Sequence, residues 1–530
     1  MNEREYRDRA MRGEEGKNYS MLIVFFLLAL LVRWVAIEQT PVVARDGMKY
    51  IHVAKFYSIG AYAEGFGAFS RSLYPFLIVP FQKAFGDWVT AGQWVSAFCG
   101  ALTVIPLYIL AKGIFDRRVA LWTAIFYSTC PDLVKYSAEV LRDVPFILFY
   151  TTSLCLGYIG IKERRAAFMG LAGLFTPLSA SIRTEGWILL AVLTVFLFWH
   201  RFKNNIPWRK ALAIFSVFLA GCIFVLAFFG LILVQKGINI TEGMISKGDK
   251  VLLGTDHKMI NNLEKEIEEK GISQKEGSFL YLAKKHRFVL YLFHILYKTV
   301  KAFNILFLLF LLGLIKRRQI GYHQDEFLLF AIYVVSVTVF LLYLNFSNYL
   351  STRHPLYLVV TSLIWSGVGF VELKERAILW IKERDFALRH CAVRWVTPVL
   401  LLVICIPLLS MAWAPNRKDK LELKEIGLWL NHNGYAHSVI IGQHEFARLA
   451  FYADGEFIHL PKGSYEDIIK FAKANEASLL VVNGKTIDHL SANFLKLVSP
   501  IDLQRIQIPG IKTPKYATLV FRVKEWRGKE

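Results

Sequence analysis

The sequence of 530 residues is 55% hydrophobic and 15% aromatic, and its mean hydropathy is +0.39. One water-soluble core cannot bury so much apolar surface, so this composition excludes a soluble globular protein and indicates a polytopic membrane protein. The formal net charge of +21 would also suit a nucleic-acid-binding protein. However, the basic residues form short clusters between apolar segments, which is typical of cytoplasmic loops, and we expect no nucleic acid as a partner.

A transmembrane helix needs about 20 apolar residues, and about eleven segments of the sequence are candidates for such helices. They lie near 21–37, 88–111, 119–134, 144–161, 166–182, 186–200, 211–234, 288–315, 326–344, 355–371 and 395–413. The fifth and sixth are short and nearly continuous, which leaves open that one of them is tilted or re-entrant. The charged arm 1–20 is followed by an apolar run without a small-residue cleavage site, so we expect a retained first span.

The placement of lysine and arginine predicts the orientation of these spans, because short cytoplasmic loops carry an excess of positive charge. With a cytoplasmic N terminus, the five basic loops all fall on the cytoplasmic side. These loops are 112–118, 162–165, 201–210, 316–318 and 374–394. The loops 38–87 and 235–287 and the C terminus then lie on the outer face. We therefore expect a multi-pass protein of the plasma (inner) membrane whose C-terminal part is periplasmic or extracellular.

After Pro415 the composition changes to that of a soluble domain. Residues 438–442 and 478–484 are typical of buried strands, and 516–524 alternates like a strand with one solvent-exposed face. Between them, 464–467 begins a helix with a capping-box pattern. This order of elements predicts a small α/β sandwich. The predicted domains are a cytoplasmic arm at 1–20, a helical membrane domain at 21–414 and the soluble domain at 415–530.

Five short motifs lie at the predicted outer ends of the spans. They are Asp46-Gly47-Met48-Lys49-Tyr50 with Ala54, Leu73-Tyr74-Pro75, Arg142-Asp143-Val144-Pro145, Arg183-Thr184-Glu185-Gly186 and Arg353-His354-Pro355. In their order and membrane face these motifs resemble the GT-C superfamily of glycosyltransferases. The resemblance covers residues 20 to 415 and is closest to family 39, the protein O-mannosyltransferase and aminoarabinose-transferase group.

The resemblance implies a fold and an activity. The fold would be an α-helical GT-C membrane domain of about eleven spans with a C-terminal extra-membrane α/β domain. The activity would be transfer of a sugar, a hexose or a pentose, from a polyprenyl-phosphate carrier to an acceptor on the outer face. The expected partners are this donor, membrane lipid and a glycan, lipid or protein acceptor.

Two carboxylates are the candidate catalytic residues. Displacing a lipid phosphate from an anomeric carbon needs a base for the acceptor hydroxyl and cations for the leaving phosphate. The resemblance implies that Asp46 is the general base and that Asp143 helps to organise the donor phosphate or the acceptor site. Glu139 precedes Asp143 by one helical turn, so we expect both carboxylates to point the same way. The alternatives are a solvated boundary acid at Asp46 and an ordinary helix N-terminal acid at Asp143.

Basic residues at the predicted outer boundary are candidates for binding the phosphate, because the arginine fork matches phosphate oxygens. The candidates are Arg71, Arg142, Arg183 and Arg353, with His354 as a proton donor and Tyr74 from the second motif. Arginines at span ends also reach lipid headgroups, which is the alternative role for each of them. We expect at least one of the four to bind phosphate. We expect Glu185 to be structural and to pair with Arg183 or with a neighbouring span.

A metal requirement stays open at this point. Many relatives place a second acid directly after the first, whereas Gly47 follows Asp46 here. The missing Asp-x-Asp spacing weakens a magnesium-type site, since hard cations need several oxygen ligands. Asp46, Asp143 and Glu139 could still share a divalent metal, and no cofactor is predicted with certainty.

Two other classes of protein compete with the enzyme interpretation. A secondary transporter or lipid flippase often shows internal repeats and ionisable residues near the middle of the membrane. This sequence shows no repeat, and its acids lie at one predicted boundary. A non-catalytic membrane scaffold with an outer interaction domain would leave Asp46, Asp143 and the outer arginines without a shared purpose.

Overall fold

The computed structural model describes residues 3–68, 72–236, 286–316, 323–347, 349–384, 389–509 and 518–524. The chain divides into two compact units. The helical unit comprises Met1–Ile37 and Tyr50–Ala414, and the C-terminal unit comprises Glu38–Lys49 and Pro415–Glu530. The segment that follows the first span therefore belongs to the same compact unit as the C-terminal part of the chain.

Helices account for nearly all of the described structure before Pro415. They are Glu3–Glu38, Arg45–Ser58, Tyr62–Ala68, Tyr74–Phe85, Trp88–Leu102, Val104–Ile114, Arg117–Thr129, Pro131–Ser137, Asp143–Lys162, Ala166–Ile182, Ile188–Lys203, Trp208–Gln235, Arg287–Phe303, Leu306–Ile315, Phe327–Ser347, Leu356–Lys382 and Arg389–Ala412. Most of the predicted outer loop 235–287 lies outside the described residues. The predicted helical membrane fold is confirmed.

Fewer helices qualify as spans than the eleven that the sequence predicted. Within the described ranges, eight are long and apolar enough to cross a membrane, and a pair bent by 113° would make a ninth. The other two predicted segments are also helical, but their helices are shorter than a membrane span requires. One ends at Thr129, because extended backbone at Cys130, the residue before Pro131, separates it from the next helix. The other, Ala166–Ile182, ends where Arg183 adopts extended backbone.

The bent pair is the predicted span 288–315. Its two helices, Arg287–Phe303 and Leu306–Ile315, are separated by Asn304, which has a positive φ of 55°. An α-helix cannot continue through that conformation, and asparagine tolerates it better than most residues. The apolar run therefore predicts the length of this segment but not its bend.

Two glycines let a central helix pack closely against its neighbour. Leu356–Lys382 is buried along most of its length and packs on Leu306–Ile315. A Cβ atom at Gly369 would collide with the carbonyl oxygen of Leu309, and one at Gly313 with the carbonyl oxygen of Trp365. Small residues at such crossings allow helix backbones to approach in membranes, where van der Waals packing drives association.

Replacing Gly369 with alanine should therefore destabilise the protein by roughly 1–3 kcal/mol through overpacking. Gly230 provides a matched control, because a Cβ there would meet no described atom within 4 Å. Both substitutions bring the same gain in helix propensity, so only the Gly369 variant should unfold at a lower temperature. Thermal unfolding of both purified variants in detergent checks this expectation, and equal midpoints would contradict it.

The C-terminal unit is built on a five-stranded sheet of order β2-β1-β3-β5-β4. The strands are β1 (Val439–Gly442), β2 (Glu456–His459), β3 (Leu479–Asn483), β4 (Leu503–Ile506) and β5 (Thr518–Val523). Strand β1 pairs in parallel with β2 and β3, whereas β5 runs antiparallel to β3 and β4. The helices are Leu421–Leu430, Ala447–Tyr452, Tyr465–Ala474 and Phe494–Leu497.

Successive residues of the central strands face opposite layers of this unit. Ile441 and Leu480 pack in one apolar cluster with Ile468, and Ile440 and Leu479 pack in another. This alternation follows from the two-residue period of a strand, and it confirms the predicted α/β domain. The predicted capping box is also present, because Ser464 and Asp467 bond each other's backbone N–H groups.

Candidate active site

Asp143 lies at the centre of a buried ionic cluster in the helical unit. It is the first residue of the helix Asp143–Lys162 and is only 3% exposed. One carboxylate oxygen pairs with Nη1 of Arg183, and Nη1 of Arg353 lies 3.6 Å from the other. The two guanidinium groups compensate a charge that burial would otherwise make very costly. Three of the sequence motifs thus meet at one carboxylate.

Arg183 connects this carboxylate to a second one. Its Nη2 lies 2.5 Å from Glu185 Oε1, and its Nε lies 3.3 Å from Glu185 Oε2. The 3₁₀ turn Thr184–Trp187 places the glutamate there, as expected from the sequence. The guanidinium carbon also lies 5.8 Å from the centre of the Phe146 ring. Because Arg183 already serves two carboxylates, we infer that it chiefly holds the cluster together.

Arg353 is the more accessible cation of the cluster. Its side chain is 29% exposed, whereas that of Arg183 is 8% exposed. Its distance of 3.6 Å from Asp143 is also longer than a charge-assisted hydrogen bond. A phosphate that approaches the cluster would therefore reach Arg353 more easily than Arg183.

His354 adjoins this arginine, and its ring is largely buried. Its Nδ1 lies 3.2 Å from the backbone nitrogen of Ser351, and the ring lies 5.5 Å from that of Tyr343. Burial, together with the charge of Arg183, lowers the pKa of His354 below its ordinary value. The imidazole is therefore neutral at pH 7, so it can donate an N–H but supplies no positive charge to a phosphate.

Tyr74 is fully buried against the helix Trp88–Leu102. Its hydroxyl lies 3.1 Å from the carbonyl oxygen of Gly92 and 3.2 Å from the hydroxyl of Ser96. Its ring makes an edge contact with Tyr50 at 5.2 Å. These contacts favour a packing role for Tyr74, and its predicted part in substrate binding stays a prediction.

Three predicted site residues of the membrane domain remain, namely Glu139, Arg142 and Arg71. Glu139 is buried in the turn between the helices Pro131–Ser137 and Asp143–Lys162. The expectation that it lies one helical turn before Asp143 was wrong, because the helix begins only at Asp143. Arg142 is partly exposed at the N-cap position. Arg71 lies outside the described residues.

Asp46 lies in the C-terminal unit, in the first turn of the helix Arg45–Ser58. Its side chain is partly exposed, whereas Val42, Val43 and Ala44 just before it are buried. A partly exposed carboxylate on a buried, fixed backbone suits a group that must meet an acceptor from solution.

The described residues do not form a metal site. Within those ranges, no group of three or more histidine, cysteine, aspartate or glutamate side chains could hold a metal ion. Around Asp143 the described partners are guanidinium groups, which do not bind cations.

Arg33, in the first span, is a buried cation that none of the five sequence motifs contains. It is fully buried, and its Nε donates to Ser137 Oγ at 3.2 Å. Its Nη1 donates to the carbonyl oxygen of Ala29 at 3.0 Å, and its guanidinium lies 5.0 Å from the centre of the Tyr127 ring. The signal was present in the sequence, since a cation inside an apolar span is costly and marks a functional or structural centre.

Comparison with known proteins agrees with this architecture. The family described as dolichyl-phosphate-mannose-protein mannosyltransferase matches residues 72–224, a range that contains Asp143 and Arg183. ArnT from Cupriavidus metallidurans, solved with bound undecaprenyl phosphate, superposes with a TM-score of 0.59 over 95% of this chain and 98% of that chain, at 12% identity. This chain has the GT-C glycosyltransferase fold. The predicted resemblance is confirmed.

A second GT-C structure shows the same likeness. The archaeal oligosaccharyltransferase AglB from Archaeoglobus fulgidus, in complex with an inhibitory peptide and a dolichol-phosphate, superposes with a TM-score of 0.53 at 13% identity. The match covers 97% of this chain and 75% of that one. No curated protein matches the sequence. At these identities the structural likeness establishes the GT-C fold, and the reaction has to be argued from the side chains.

Proposed function

We propose that this protein is a membrane glycosyltransferase that moves a sugar from a polyprenyl-phosphate carrier to an acceptor on the outer face of the membrane. The observation that carries the proposal is the buried carboxylate of Asp143, held between Arg183 and the more exposed Arg353. The fold supports it, because the ArnT and AglB structures each contain a polyprenyl phosphate.

The proposed reaction is a direct displacement at the anomeric carbon. Asp46 accepts the proton of an acceptor hydroxyl, and that oxygen attacks the anomeric carbon while the bond from this carbon to the phosphate oxygen breaks. The electron pair of the broken bond stays on the phosphate, which leaves with its polyprenyl chain. One attack from the opposite side inverts the anomeric configuration.

The leaving phosphate gains one negative charge in this step, as a diester becomes a monoester. Preorganised cations lower the energy of such a transition state. Arg353 is the candidate for this contact because it is the more exposed of the two arginines at Asp143. Arg183, Asp143 and Glu185 would hold the helix ends in place around it. The transferred sugar would be a hexose or a pentose.

The test compares donors, with the purified protein in liposomes and cell-envelope extract as the source of acceptors. Polyprenyl-monophosphate sugars should be consumed with release of free polyprenyl phosphate, whereas the corresponding nucleotide sugars should remain intact. Donors that stay intact but change leaflet would favour a flippase instead. Intact donors in both leaflets, over a range of sugars, would overturn the proposal.

A further inference from the structure

Arg448 and Tyr452 bind the segment that leads into Asp46, and we propose that they are positioning residues for this base. The inference rests on the proposed function. Both side chains belong to the short helix Ala447–Tyr452 of the C-terminal unit, and each is 9% exposed. They are four residues apart, so they lie on the same side of that helix.

The two side chains bind the same residue of the segment from two directions. The backbone N–H of Val43 donates to the hydroxyl oxygen of Tyr452 at 2.9 Å. The carbonyl oxygen of Val43 accepts a hydrogen bond from Nε of Arg448 at 3.0 Å. Both polar groups of one buried backbone residue are thus fixed, three positions before Asp46. This pair of bonds determines where the chain enters the helix that carries the carboxylate.

Further contacts inside the C-terminal unit hold the part of the segment that precedes Val43. The carbonyl oxygen of Gln39 accepts a hydrogen bond from the backbone nitrogen of Asn416 at 2.9 Å. Lys424 Nζ donates to the carbonyl oxygen of Pro41 at 3.0 Å. The segment is therefore attached along its length.

The last contact lies next to the carboxylate itself. Arg45 Nη1 lies 3.3 Å from His444 Nε2. The backbone N–H of Met48 then donates to the carbonyl oxygen of Ala44 at 3.1 Å, which closes the helical turn that contains Asp46. The C-terminal unit thus sets the position of Asp46.

The identity of Arg448 supports positioning over simple packing. Burying a guanidinium is costly, and an aliphatic side chain of similar size would fill the same space without desolvating a charge. What the arginine adds is a directed hydrogen bond to the carbonyl oxygen of Val43. Small displacements of a catalytic group lower turnover strongly, by about 10²-fold for about 1 Å.

Tyr452→Phe should lower kcat by at least about tenfold and leave KM for the donor within about twofold, because the phosphate-binding arginine is untouched. Arg448→Gln should act in the same way, and Arg448→Lys should keep more activity because lysine can still donate to Val43. Tyr465→Phe is the matched control. The Tyr465 hydroxyl accepts a hydrogen bond from the backbone nitrogen of Ser499 at 3.1 Å elsewhere in the same unit, and its loss should leave kcat within about twofold.

Amide hydrogen exchange of the same full-length variants provides a readout that does not require activity. Exchange at residues 43–50 should be faster in Tyr452→Phe than in wild type or Tyr465→Phe. Unchanged exchange would overturn the inference whatever the protein catalyses, and so would faster exchange with a wild-type kcat. Faster exchange in a protein whose wild type transfers no sugar would support the anchoring of the segment while refuting the proposed function.

Discussion

Replacing Asp46 with asparagine should lower the rate of sugar transfer by about 10² to 10⁴-fold, the range expected when a general base is lost. Asparagine has nearly the same shape but cannot accept the proton of the acceptor hydroxyl. The thermal unfolding midpoint should stay close to that of wild type, because Asp46 is partly exposed. Initial rates at saturating donor in liposomes, with unfolding curves of the same preparations, measure both effects.

Asp488 is a suitable control for this substitution. It is an exposed acid in the first turn of the short helix Ile487–His489, in the same compact unit as Asp46. Asp488→Asn should transfer sugar at the wild-type rate. Asp46→Glu keeps a base but displaces it by one methylene group, so its rate should fall between wild type and Asp46→Asn. A wild-type rate in Asp46→Asn would refute the assignment of the base and make Asp143 the next candidate.

Replacing Arg183 with glutamine should have the largest effect on stability, a loss of about 3–5 kcal/mol. The reason is the charge that remains, since the side chains of Asp143 and Glu185 are only 4% and 13% exposed. Glu185 would lose its partner Arg183, and Asp143 would keep only Arg353 at 3.6 Å. The thermal unfolding midpoint of the variant in detergent should therefore fall well below that of wild type.

The pair of Arg165 and Glu163 allows a direct comparison. Its two residues are also two positions apart and lie 3.1 Å from each other, but their side chains are 65% and 48% exposed. Arg165→Gln should therefore change stability by no more than about 1 kcal/mol. Adding Asp143→Asn and Glu185→Gln to Arg183→Gln should restore part of the lost stability by removing the two carboxylate charges that Arg183 compensates. Equal effects of Arg183→Gln and Arg165→Gln would contradict this account of the cluster.

Local features of the sequence predicted much of the fold. Apolar segments of sufficient length became helices, because a helix is the way for such a segment to satisfy its backbone hydrogen bonds in lipid. The capping box at Ser464 and the pairing of Arg183 with Glu185 were also predictable, since each joins residues two or three positions apart. Local breaks before Pro131 and at Asn304 altered two of the expected spans.

Contacts between distant residues could not be predicted in this way. Arg183 and Asp143 are 40 residues apart, and Val43 and Tyr452 are 409 residues apart. Periodicity and composition carry no information about which motifs meet. The sequence therefore indicated four arginines as candidates for binding phosphate but not which of them lies closest to Asp143. From the sequence we predicted that Asp46 lies in an outer loop of the membrane domain. In the structure the segment Glu38–Lys49, which contains Asp46, belongs to the C-terminal unit.

The most direct test of the proposed reaction follows the sugar and the phosphate separately. A synthetic polyprenyl-phosphate sugar would carry one radiolabel in the sugar and another in the phosphate, and would be supplied to the protein in liposomes with envelope acceptors. We expect the sugar label to move to the acceptor at the same rate as the phosphate label appears in free polyprenyl phosphate. Transfer of both labels to the acceptor, or of neither, would contradict glycosyl transfer from a polyprenyl phosphate.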